Sequence, residues 1–99
     1  MPYPYKSLND LEPNVRWDAA ISLAKQNDNK GRRIILDLMD RNYLDSFPNV
    51  DQIEQNQAIL AAIAVSEKIL DNEISEVLID LMNNDVNMKV RQAARNVLK

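Results

Sequence analysis

A six-residue stretch occurs twice in this chain. Ile35-Leu36-Asp37-Leu38-Met39-Asp40 returns 43 residues later as Leu78-Ile79-Asp80-Leu81-Met82-Asn83. A second recurrence, at an offset of 75, pairs Val15-Arg16-Trp17-Asp18-Ala19 with Val90-Arg91-Gln92-Ala93-Ala94 and sets Leu23 on Leu98. The difference of 32 is the length of a compact helix pair, so one unit carries about 11 extra residues, the length of the stretch 42–52. A repeat of this size is one supersecondary unit that cannot bury its apolar face alone, and stacked copies bury it for each other.

Composition makes those units helical. The chain has one glycine and four prolines in 99 residues, too few turn formers for a many-stranded sheet. Apolar residues at helical spacing then mark five main helices at about 14–26, 30–41, 53–70, 72–83 and 87–98. Pro13 stands where a first-turn proline belongs, and Gly31 is tolerable near the start of the second helix. Residues 1–12, with Pro2, Pro4, Tyr3 and Tyr5, read as an extended lead-in, and 13–99 as a single domain. The stretch 42–52 is broken by Pro48, yet it holds Tyr43, Leu44, Phe47 and Val50. A merely solvated loop does not need four apolar residues, so this one is expected to fold back onto the helices.

Val15-Arg16, Ala19-Ala20 and Leu23, after a turn with Asn9, Asp10 and Pro13, resemble the HEAT-repeat pattern. So do Asn84-Asp85, Val90-Arg91, Ala94 and Leu98. The nearest likeness is to the short bacterial HEAT-like repeats grouped with the phycobilisome lyase repeats. The middle unit departs from it, with Gln57-Ala58-Ile59 where Val-Arg belongs. The resemblance implies an all-α fold: an α-α superhelix of about two and a half helical hairpins. Planar guanidiniums suit a structural staple, so Arg16 and Arg91 are expected to tie adjacent units through turn aspartates or carbonyls, as the resemblance also implies. It further implies that the second helix of each pair lines a concave side, carrying Arg33, Asp37, Arg41, Glu76 and Asp80.

Function is constrained mainly by what the chain lacks. With no cysteine and no histidine there is no disulfide, no thiol nucleophile, no imidazole base and no usual zinc ligand. No catalytic residue and no cofactor is therefore expected, and an enzyme of the bilin-lyase type is only an alternative by analogy. Asp45, Asp51 and Glu54 form the one carboxylate group that suggests calcium or magnesium, but their spacing lacks the alternating pattern and glycine of a calcium loop. Net charge is −3, which opposes general nucleic-acid binding despite the basic cluster Lys30, Arg32, Arg33 and Arg41. No apolar run reaches the roughly 20 residues of a membrane span, and the N-terminus lacks a signal-peptide core, leaving a cytoplasmic location as the default. The reading that remains is a protein-binding scaffold, part of a longer protein or self-associating through a stack end. Its partner-binding residues would be the concave set together with Tyr43 and Phe47 from the inserted stretch. Trp17, with Ile21 and Ala24 on its flank, is expected to bury against the lead-in tyrosines or an adjoining unit.

Overall fold

In a computed structural model, residues 8–99 are described and comprise six α-helices and no strand. The helices are α1 (Pro13–Lys25), α2 (Arg32–Leu38), α3 (Arg41–Asp45), α4 (Gln52–Ser66), α5 (Asn72–Asn84) and α6 (Met88–Leu98). Single 3-10 turns, Asn29–Gly31 and Glu67–Ile69, precede α2 and follow α4. The lead-in tyrosines lie outside the described residues.

Polar caps set the boundaries. The side chains of Asp40, Asp51, Asp71 and Asn87 accept backbone N–H groups at the starts of α3, α4, α5 and α6, supplying partners that helix ends lack. Asp51 and Glu54 form a reciprocal capping box. At the other end of α1, Asn27 takes φ 63°. The Asp28 N–H then bonds the Leu23 carbonyl and the Asn27 N–H the Ala24 carbonyl, a complete left-handed helix stop.

Two of the expected boundaries move. The second helix, expected to reach residue 41, ends at Leu38, because Asp40 caps a new helix whose first residue is Arg41. The stretch 42–52 is thus partly helical. The third helix, expected to reach residue 70, ends as α-helix at Ser66, whose hydroxyl donates to the Ile63 carbonyl at 2.7 Å before the 3-10 turn.

The described body measures 37 × 31 × 18 Å, about two helix diameters in its thinnest direction. Helices α1, α4 and α6 follow one another as one row, while α2 packs on α1 and α4, and α5 packs on α6. The nearest helical neighbour of α5 is therefore α6 across a short turn, not α4 as the expected succession of pairs would have it. Between the layers lie Leu23, Ile35, Leu38, Leu44, Ile59, Ile63, Ile74, Leu78 and Val90, all essentially inaccessible. Val90 is fully buried where α6 packs on α4 and α5, whereas Val97 and Leu98 are half-buried.

The single glycine is needed for a close approach rather than for a turn. A Cβ on Gly31 would lie 2.8 Å from both Cα and Cβ of Ala20, so the turn before α2 rests directly on α1. Neither residue has room for a larger side chain.

Candidate functional site

The second helices of the repeat, α2 and α5, face each other across an open groove of about 620 Å³. Their N-terminal ends are joined by ion pairs, and a further pair joins residues just past their C-terminal ends, so the two run in the same direction. At the N-terminal end, Arg32 donates from Nε to Asp71 at 2.9 Å and from a terminal nitrogen to Glu73 at 2.8 Å. Arg33 reaches the other Glu73 oxygen at 3.1 Å. At the far end, Arg41 donates to both carboxylate oxygens of Asp85, at 2.8 and 2.9 Å.

The floor of the groove is apolar. Leu36, Met39 and Leu81 are buried there, Val77 is half-buried, and Val86 stands 74% exposed at the mouth. Its walls are acidic: two lining arginines, Arg33 and Arg41, stand against Asp37, Asp40, Glu73, Glu76, Asp80 and Asp85, a net of −4. Glu73 and Asp85 are taken by the end bridges. Asp80 accepts only from its own-helix neighbour Asn84, and Asp40 from the N–H of Asn42. Asp37 and Glu76 accept no hydrogen bond from any described residue.

Electrostatics separates the bridging carboxylates from the free one. Burial pushes Asp85 up, but its hydrogen bonds from Arg41 and the Asn87 N–H, with the charges of Arg41 and Arg91, outweigh it and hold the carboxyl below the ordinary value. Asp71 is held low by the Ile74 N–H and by Arg32, and Glu73 by Arg32. Asp37 moves the other way: burial raises it, the neighbouring charge of Asp40 adds to the rise, and Arg33 only partly opposes it.

Five of the residues expected to bind a partner, Arg33, Asp37, Arg41, Glu76 and Asp80, line this one groove. Arg41 differs from the expectation in being engaged, since it also donates to Gln55 at 3.3 Å and Asn56 at 2.8 Å on α4. Gln55 in turn donates to Asp45 at 2.6 Å. Tyr43 and Phe47 lie elsewhere, against α1. Trp17 donates from Nε1 to the Tyr43 hydroxyl at 3.2 Å and meets Phe47 edge-on at 5.3 Å between ring centroids. Tyr43 and Phe47 meet edge-on at 5.1 Å. The inserted segment is thus pinned to α1 by three rings in edge-to-face contact, with interplanar angles of 68°, 88° and 69°, a favourable geometry for their quadrupoles.

The two paired arginines of the repeat make the same bond. Arg16 donates to the Asp10 carbonyl at 2.7 Å and Arg91 to the Asp85 carbonyl at 2.6 Å, each six residues back. The Asp10 side chain accepts the Glu12 N–H and the Asp85 side chain the Asn87 N–H, so the two turns are alike in detail. Each arginine therefore ties the turn before its helix to that helix through the carbonyl of a turn aspartate.

Asp45, Asp51 and Glu54 are dispersed into these structural bonds, and among the described residues no group of three His, Cys, Asp or Glu side chains is placed to hold a metal ion. No described helix is long and apolar enough to cross a membrane. No protein-family model, curated protein or solved structure matches the chain.

The Arg41–Asp85 bridge has no local signature in the sequence, since its partners are 44 residues apart. One signal was available: Asp85 is the third-unit counterpart of Asp10, and a turn aspartate repeated at offset 75 marks a position with a structural task.

Proposed function

We propose that this protein is a non-catalytic protein-binding scaffold of the HEAT-like type, working in the cytoplasm, alone or as part of a longer or self-associating stack. The observation that carries the reading is the groove. Two repeat-related helices wall an open groove over buried apolar residues, with half-buried Val77 and exposed Val86 offering apolar surface beside carboxylates, of which Asp37 and Glu76 accept no hydrogen bond. An amphipathic trough of this kind is what a partner segment with one apolar face can fill. The HEAT-like assignment is supported by the matched turns of Asp10/Arg16 and Asp85/Arg91, and by the cap aspartates Asp28 and Asp71, which stand 43 residues apart in the same register.

Affinity capture from native extract tests the binding reading. Immobilised wild-type chain is compared with a Glu76→Lys/Asp80→Lys variant whose helical content is verified by circular dichroism. Both positions are exposed, so the variant should fold. Loss of a specific retained protein in the variant is the expected result. An identical retained set in both samples would contradict docking in the groove.

A further inference from the structure

We propose that the occupant of the α2–α5 groove is a basic amphipathic helix of a protein partner, about three turns long. This deepens the docking reading above and rests on it. The end bridges define the length. From Glu73 to Asp85 the groove follows twelve residues of α5, about 18 Å at 1.5 Å per residue.

Between those bridges, charge and apolar surface are laid out for a cationic side chain rather than for an anionic or neutral one. Asp37, Asp40, Glu76 and Asp80 have no basic side chain bonded to them. Glu76 and Asp80 are one helical turn apart on α5, so lysines four residues apart on an opposing helix can meet both. The aliphatic stem of a lysine or arginine, or an apolar residue between two such cations, would at the same time cover half-buried Val77 and exposed Val86. Asp37 is half-buried and accepts no hydrogen bond, so a cation entering the groove finds one of its carboxylate oxygens open to it. A second copy is the less suited occupant: its α6 presents exposed Lys89 and Arg95, but the whole chain carries −3 and meets a like-charged groove.

The test is a nitrogen-15 NMR titration of the full chain with two synthetic peptides of about 14 residues, helical Leu/Lys and its Leu/Glu counterpart. The Leu/Lys peptide is expected to shift amides of residues 33–41 and 73–86, weakening as salt is raised. Neutralising the two exposed carboxylates (Glu76→Gln/Asp80→Asn) should lower its affinity roughly five- to tenfold, the order expected of two screened ion pairs. Absence of shifts, shifts centred instead on the smaller groove between α4 and α6 lined by exposed Ile53 and Met88, or affinity indifferent to both salt and the neutralised variant would overturn the proposal. Seating of the Leu/Glu peptide in the groove would overturn the cationic partner while leaving the groove as a docking site. Sedimentation showing a dimer that the neutralised variant abolishes would give the groove to a second copy and overturn it as well.

Discussion

Arg41 and Asp85 meet through two parallel hydrogen bonds across 44 residues of sequence, with the Asp85 side chain only 3% exposed. The pair joins the first residue of α3 to the turn between α5 and α6, and Arg41 extends the link to α4 through Asn56. Removing one partner leaves a buried charge without compensation, which typically costs about 3 kcal/mol or more. Arg41→Met and Asp85→Asn should each lower the free energy of unfolding measured in urea by about 2–4 kcal/mol, with strong non-additivity in the double variant. Additive losses below about 1 kcal/mol would show that the bridge is incidental.

Gly31 and Ala20 provide a test of packing alone. The lower entropy of the unfolded chain favours Gly31→Ala by up to about 1 kcal/mol. The 2.8 Å approach to Ala20 opposes it, and forcing apart two backbone segments costs roughly 1–3 kcal/mol. A net loss of stability is expected in thermal or urea unfolding. A gain would mean that α1 and the turn before α2 separate more easily than their contact suggests.

The aromatic triad predicts a fluorescence change without loss of the fold. Phe47→Ala removes the ring nearest Trp17, and should red-shift tryptophan emission and cost about 1–3 kcal/mol. Tyr43→Phe removes only the hydroxyl that accepts from Trp17, and should cost about 1 kcal/mol. Unchanged emission in Phe47→Ala would place Trp17 away from the inserted segment.

The pH dependence has two opposed parts. Asp85, Asp71 and Glu73 ionise more readily in the folded chain than in the unfolded one. Their contribution is present above the unfolded values, about pH 4, and is lost as pH falls through the lower folded values, giving an acid limb in a stability profile. Asp37 has the opposite sign: its carboxylate is penalised by folding, so it destabilises above both values and is neutral in effect below them. Asp37→Asn should therefore raise the urea midpoint at pH 7 and leave it unchanged near pH 3. The same variant should bind a cationic segment less well.

The repeat in Ile35–Asp40 and Leu78–Asn83 is enough to read helices and the all-α class, whereas the placing of its two second helices along one surface follows only from the HEAT-like resemblance. Asp37 and Asp80 share a register because the repeat does, and that much was legible. Boundaries were less so. Nothing in the pattern of Arg41 and Asn42 distinguishes the end of one helix from the start of another, and Asp40 decides it only by turning its side chain back to cap. The long-range bonds were hidden for a different reason: Arg41 reads as a solvated cation until Asp85 is brought beside it. Tyr43 and Phe47 carried an ambiguous signal, since aromatic residues in an insertion suit a binding loop and a structural clamp equally, and only their contact with Trp17 separates the two.

The most direct test of the central claim is hydrogen–deuterium exchange of this chain with and without a partner recovered from extract. Slowed exchange confined to residues 33–41 and 73–86 is the result that docking in the α2–α5 groove predicts. Protection centred instead on the Trp17–Tyr43–Phe47 surface, with the groove unaffected, would contradict it.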